Sequence, residues 1–294
     1  MPIKVPAGLP ALEAVRSEGM DIRELAAATS DTLRIALLNI MPTKETTEAD
    51  FIRLLATSAH NIELTLVKLD THKPKNASPE HMAKYYKGFS EVKDSRFDGF
   101  IITGAPVEKM DYEQVGYWRE LQGIFDWAKE NVTSTLYICW AAQAILYHRF
   151  DVQKYLLGKK MFGIFPHTLL QPQLPLFTGF DEEFFVPHSR HTELRREDIL
   201  KVERVELLSE SDESGVYIMT ERGTRDFYIT GHSEYALMTL DGEYRRDVAK
   251  GLPIEIPENY YQDDNPGLEP VNRWRTHAEK LFNNWLDYYV KPAE

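Results

Sequence analysis

A single cysteine, Cys139, closes the apolar run Thr135-Leu-Tyr-Ile-Cys139 and stands directly before Trp140-Ala-Ala-Gln-Ala-Ile-Leu146. The run reads as a short buried strand, and the segment after it as the start of a helix with small residues crowded beside the thiol. A side chain at such a strand-to-helix turn stands at the carboxyl edge of a sheet, close to helix N-terminal N–H groups that favour a thiolate over a thiol. A lone free cysteine is most often a small buried hydrophobe; here its position and neighbours favour a nucleophile. Such a nucleophile needs a base within reach and a third group to hold that base. The segment Phe227-Tyr-Ile-Thr-Gly-His232-Ser-Glu234 supplies both as a strand whose end delivers a histidine. In extended chain, residues two apart share a face. Glu234 can then hold one imidazole nitrogen of His232 while the other faces the thiol. The bland alternative is a surface His–Glu pair, and His-x-Glu alone is a weak pattern.

Other chemistries find less support. There is no His-Glu-x-x-His motif and no cysteine cluster, and His188 and His191 lack an evident third ligand, so no metal site is expected. Neither Gly-rich phosphate cradle is present, which argues against dinucleotide or nucleoside triphosphate use. Hydrophobic residues make up 43% and charged residues 27%, the balance of a soluble globular protein. The net charge of −12 argues against nucleic acid or an anionic membrane as partner. A single cysteine rules out an intrachain disulfide and suits a reducing, cytoplasmic setting. No apolar stretch approaches a membrane span, and no signal peptide is read at the N-terminus.

The elements that must position these residues alternate. Residues 1–32 read as an arm with one short helix near Ala11–Arg16. Strands are predicted at Leu33–Ile40, Ile62–Leu69, Phe97–Thr103 and Thr135–Cys139. The helices between and after them are expected at Thr46–Ser58, from Ser78, at Glu113–Asn131 and at Ala141–His148. This is the pattern of a doubly wound α/β sheet, whose reactive groups collect at the carboxyl ends of the strands. After Tyr155 the chain turns to short strand-like runs: Met161–Phe165, Leu174–Phe180, Glu183–Pro187, Val205–Ser209, Val216–Thr220 and Phe227–Thr230. They read as a mixed extension of the same sheet. Glu234–Lys250 and Asn272–Val290 read as helices around a Pro-rich loop. The whole chain, 1–294, reads as a single domain.

With these residues in hand, the sequence resembles the homoserine O-acyltransferase family of methionine biosynthesis, the transsuccinylase/transacetylase group. The resemblance runs over nearly the whole chain and rests on NIMPTKETTEADFIRLL, FDGFIITGAPVE, STLYICWAAQA, FPH with VPHSRHTE, ITGHSEY and EYRRDVAKG. It implies a flavodoxin-like fold of the class I glutamine amidotransferase type with a Cys-His-Glu triad. Cys139 would be the nucleophile, His232 the general base and Glu234 its partner, with an oxyanion hole from N–H groups near Trp140 and the Gly104 turn. Lys160, Ser189 and Arg246 match substrate-binding positions, Arg246 as the grip on the homoserine carboxylate, and Lys44 matches a lysine near the site. The expected substrates are L-homoserine and acetyl-CoA. The acyl-CoA is a co-substrate, with no cofactor, and the assembly is expected to be a homodimer. Glu108 bears on the donor. Members resembling the succinyl-transferring type carry glycine there, and a glutamate adds bulk and negative charge where a succinyl carboxylate would lie, so acetyl is expected. Glycines flank the wider amidotransferase elbow, whereas here Tyr137 and Ala141 stand two residues either side of the cysteine, which suits acyl transfer better than glutamine hydrolysis. Three alternatives stay open: a succinyltransferase using succinyl-CoA, a glutamine amidotransferase-type hydrolase, and a non-enzymatic module with a structural or redox-sensing Cys139.

Overall fold

A computed structural model describes residues 2–74 and 76–291. In chain order it runs β1 (Pro2–Lys4), α1 (Pro10–Ser17), β2 (Arg23–Glu24), β3 (Leu33–Leu38), α2 (Lys44–Leu55), β4 (Ile62–Lys68), α3 (Pro79–Tyr85), β5 (Lys87–Gly88), α4 (Phe89–Val92), β6 (Phe97–Ile102), α5 (Trp118–Asn131), β7 (Val132–Ile138) and α6 (Trp140–Phe150). There follow β8 (Lys154–Leu169), β9 (Glu183–Leu194), α7 (Arg196–Leu200), β10 (Val205–Ser211), β11 (Gly215–Glu221), β12 (Phe227–Ile229), α8 (Thr239–Ala249) and α9 (Arg275–Trp285), which continues as the π-helical turn Leu286–Val290.

One twelve-stranded sheet runs β2-β1-β4-β3-β6-β7-β12-β11-β10-β8-β9, with β5 paired to β4. From β2 to β12 the pairs are parallel, and from β12 to β9 they are antiparallel. The central order β4-β3-β6-β7-β12 is that of a flavodoxin-like doubly wound sheet. The strands are apolar on both faces because helices cover both. In β3, Ile35 and Leu37 face one core with Phe51 of α2 and Trp285 of α9; Ala36 and Leu38 face the other with Phe125 of α5 and Ile145 of α6. The indole of Trp285 donates to Ser134 Oγ at 2.7 Å and seats the closing helix on β7. Among the described residues no helix is long and apolar enough to cross a membrane.

Several sequence expectations shift. The N-terminal segment expected as an arm with one helix also supplies β1 and β2, which extend the sheet in parallel beyond β4. Leu174–Phe180 is no strand: Pro175 opens a 3-10 turn, and its apolar pair Leu176 and Phe177 is buried where the Asn284 side chain of α9 donates to Leu176 O and Thr178 O. The runs at Met161 and Glu183 belong to much longer strands, β8 and β9. The helix expected over Glu113–Asn131 is a 3-10 turn, Tyr112–Gln114, followed by α5. The helix expected from Glu234 begins only at Thr239, which leaves Glu234 in a turn.

Candidate active site

β7 delivers Cys139 at the carboxyl edge of the sheet, and α6 begins one residue later. Cys139 is the N-terminal cap of α6 with φ 54° and ψ −116°. A side-chain-bearing residue is held in that conformation only when its surroundings over-determine it, and such positions cluster at functional sites. Here the Cys139 N–H donates to Ile229 O of β12 at 2.7 Å, which fixes the turn from the neighbouring strand. Gly104, just after β6, packs closely on this turn: a Cβ there would lie 3.2 Å from Cys139 Cβ and 3.4 Å from Trp140 N. The missing side chain leaves the backbone of the Gly104 turn beside the first N–H groups of α6. Those groups have no carbonyl partner within the helix and bear the positive end of its dipole.

β12 ends at Ile229, and the chain then turns so that the His232 N–H donates to Pro187 O of β9 at 2.8 Å. Gly231 makes this approach possible, since a Cβ would lie 2.6 Å from Val186 Cγ1 and 3.1 Å from His188 Cε1. His232 Nδ1 and Glu234 Oε1 are 2.6 Å apart, and both side chains are buried. The pairing expected from a shared strand face is therefore made by a turn, closed by Tyr235 N–H donating to His232 O. The imidazole stacks on the Tyr235 ring at 4.3 Å and 16°. Burial works against its charge. The charges of Cys139 and Glu234 and a hydrogen bond to each outweigh burial and hold His232 well above the ordinary imidazole range. The ring thus lies between the sulfur and the carboxylate, each within hydrogen-bond reach.

Cys139 and His232 open into a cavity of about 350 Å³. Of the residues singled out in the sequence, Glu108, Lys160, Ser189 and Arg246 line it with them. Lys160, from β8, reaches Glu243 at 2.9 Å, and Ser189, from β9, donates to the same carboxylate oxygen at 2.6 Å. Tyr235 OH donates to its other oxygen at 3.2 Å. Arg246 is half exposed, lines the cavity, and is held through Nε and a terminal nitrogen by Asp247 at 2.7 and 3.0 Å, two bonds that do not involve its other terminal nitrogen. Burial pushes the Glu108 carboxyl up, against the pull of the His191 N–H and the positive charges of His232, Lys160 and Arg190.

Lys44 is not among these residues. Its side chain is buried, its ammonium donates to Asn39 O at 2.5 Å, and it lines a neighbouring cavity. Burial lowers its pKa to about 8. The sequence reading missed Glu243, Asp247 and Tyr235 and weighed His191 only as a metal ligand; all four line the site. A signal for Glu243 existed: it stands three residues before Arg246, so the two share a face of α8. It also missed Arg190, fully buried on β9, which donates to His188, Thr192 O and Ser214 O, and whose charge acts on Cys139 and Glu108. Among the described residues no cluster of three or more His, Cys, Asp or Glu is arranged to hold a metal ion. The cavity thus holds Cys139 beside a histidine oriented by Glu234, with the carboxylates of Glu108, Glu243 and Asp247 and the cations of Lys109, Lys160 and Arg246 on its walls.

Comparison with known proteins places the chain in a family. The family model described as homoserine O-succinyltransferase matches residues 2–293. A Bacteroides fragilis protein named homoserine O-acetyltransferase is 56% identical over 99% of this chain and 96% of its own length. Proteins of the same name from Brevibacillus brevis and Acetivibrio thermocellus are 55% and 54% identical, each again over 99% of this chain and 96% of its own. A glutamine amidotransferase from Thermotoga maritima superposes with a TM-score of 0.54 at 13% identity, covering 88% of this chain and 98% of its own. One from Methylobacillus flagellatus gives 0.51 at 10%, covering 90% and 98%. That likeness is one of fold alone. The family and the relatives are named for different acyl groups.

Proposed function

The chain belongs to the homoserine O-succinyltransferase family, and from that premise we propose that it moves an acetyl group from acetyl-CoA to the hydroxyl of L-homoserine through a thioester on Cys139. The observation that carries this is the triad in its cavity: Cys139 at a strained strand-to-helix turn, His232 beside it and Glu234 2.6 Å behind, with Glu108 on the wall.

The mechanism starts with the proton of the Cys139–His232 pair on the imidazole, which the carboxylate of Glu234 favours. Cys139 Sγ attacks the thioester carbonyl, and the N–H groups of the Trp140 and Gly104 turns face the oxyanion. The tetrahedral adduct collapses by breaking the bond to the coenzyme sulfur, which takes the proton from His232 and leaves as free thiol. The neutral imidazole then removes the proton of the homoserine hydroxyl as that oxygen attacks the acyl carbon. Collapse releases the ester and returns Cys139 and protonated His232 to the starting state. Glu234 holds the ring and stabilises the imidazolium in both halves.

Homoserine carries an ammonium and a carboxylate on one carbon. Glu243 suits the first and Arg246 the second, since both stand on one face of α8. Glu108 supports acetyl as the donor: its carboxylate and bulk occupy the cavity that a longer, anionic acyl group would need. Mixing the protein with acetyl-CoA and L-homoserine tests the function: coenzyme A thiol and O-acetylhomoserine should appear in equal amounts. Ammonia release from glutamine, with no thiol released from acetyl-CoA, would assign the site to glutamine hydrolysis instead.

A further inference from the structure

The turn that carries His232 and Glu234 is held from behind at several points. Ser233 Oγ and Tyr217 OH of β11 lie 2.6 Å apart, and the Trp274 indole at the head of α9 donates to Tyr235 O at 2.9 Å. A third hold comes from α2: the Ala236 N–H, two residues past Glu234, hydrogen-bonds the Asp50 carboxylate. Asp50 is buried. Arg53, three residues on and also buried, donates from one terminal nitrogen to Asp50 Oδ1 at 2.9 Å. The other edge of that guanidinium is taken by Glu18, the cap at the end of α1. Nε donates to one oxygen of Glu18 at 2.7 Å and the second terminal nitrogen to the other at 2.6 Å. A continuous line of contacts therefore runs from half-exposed Glu18 through Arg53 and Asp50 to the turn behind the imidazole.

We infer that Glu18, Arg53 and Asp50 form a brace that positions Glu234 behind His232, so that the N-terminal segment serves the reaction through the triad. The inference rests on the triad chemistry proposed above. A general base acts best when the group that orients it is itself fixed. Glu234 comes from a turn and not from a strand or helix, so its place depends on what holds that turn. Asp50 supplies an acceptor there, but a carboxylate so buried is costly in its charged form. Burial pushes Asp50 up to about 7, and the charge of Glu234 pushes the same way; Arg53 and the Ala236 N–H pull against them. Arg53 thereby favours the ionised, acceptor-only form of Asp50. Glu18 in turn fixes the guanidinium by the two-bond grip that carboxylates make with arginine. Arg275 of α9 adds a second positive charge that acts on Arg53, Asp50 and Glu18. None of the three residues of the brace lines the cavity of Cys139, so they are positioning residues.

The test reads each half-reaction per acetylatable Cys139, so that misfolded protein does not count. Acetyl-CoA alone charges the thiol and homoserine discharges it. Both rates and both KM values are measured in wild type, Asp50→Ala, Asp50→Asn and Glu18→Ala. Asp50→Ala should slow both half-reactions about tenfold or more, the worth of a hydrogen bond to a charged group, with both KM values unchanged. Asp50→Asn keeps an acceptor for the Ala236 N–H and should bring the rates back to within roughly threefold of wild type. Glu18→Ala removes only the half-exposed end of the brace and keeps the test open should Asp50→Ala fold poorly. It should slow both half-reactions by about twofold to fivefold, the range of an exposed ion pair, and add nothing further in the Asp50→Ala background. Unchanged rates per site in Asp50→Ala or in Glu18→Ala would overturn the brace. So would Asp50→Asn as slow as Asp50→Ala, full additivity in the double variant, or a loss confined to one KM. Wild type that gains no acetyl group at Cys139 would instead remove the triad reading itself.

Discussion

Replacing Glu108 separates charge from volume in the choice of acyl donor. Glu108 and Cys139 line one cavity of about 350 Å³, so a succinyl group on Cys139 would bring its carboxylate close to that of Glu108. At about 5 Å and an effective dielectric of ~20, two such charges repel by about 3 kcal/mol. The positive charges of Lys160, His232 and Arg190 act on the same carboxylate and weaken the effect. Even a third of it, about 1 kcal/mol, is roughly a fivefold change in discrimination. Glu108→Gln keeps the volume and removes the charge, so it should narrow the preference for acetyl-CoA about fivefold or more by that estimate. Glu108→Gly also opens space and should narrow it further or reverse it. The assay is kcat/KM for acetyl-CoA and succinyl-CoA in all three proteins. Burial raises the Glu108 carboxyl, so the charge term should fade on acidification at a higher pH than for an ordinary carboxylate. A donor ratio unchanged in both variants, or a wild type that prefers succinyl-CoA, refutes the reasoning.

Three further outcomes are expected. His232→Ala should lower kcat by about 10²–10⁴-fold, the usual worth of general acid–base catalysis, and Glu234→Ala by less because the Tyr235 stack still holds a ring in place; wild-type turnover in His232→Ala would exclude the triad. Arg246→Ala should raise the KM for homoserine far more than that for acyl-CoA and leave acylation of Cys139 intact; loss of acylation would place Arg246 at the coenzyme. Lys44 is lowered from 10.5 to about 8, so between those values the folded protein has released a proton that the unfolded chain still holds. Stability should therefore rise with pH across that window in wild type and not in Lys44→Met, measured as the difference in thermal midpoint at pH 7.5 and 9.5; parallel curves would show that the lysine is not desolvated.

The central sheet and the position of Cys139 at its carboxyl edge were legible because their signals are local. Leu33–Leu38 and Phe97–Ile102 are apolar on both faces, as strands covered by helices on both sides must be, and Cys139 follows such a run directly. The His232–Glu234 pair was legible by composition, although a turn and not an extended strand makes it. The length of β8 was hidden because Leu156 to Met161 is largely exposed and its pairing with β9 is interrupted there by a register shift. Glu243 was overlooked because its meaning comes from Lys160, 83 residues away, and from Ser189, 54 residues away. Arg190 reads in sequence as an ordinary charged residue, and only the packing of β9 shows it as a buried cation behind the site.

The most direct measurement is the intact mass of the protein after brief exposure to acetyl-CoA without homoserine. Wild type should gain one acetyl group, mapped to Cys139 and discharged when homoserine is added, and Cys139→Ser should gain none. An acetyl group on a lysine, or undiminished transfer by Cys139→Ser, would contradict catalysis through a Cys139 thioester.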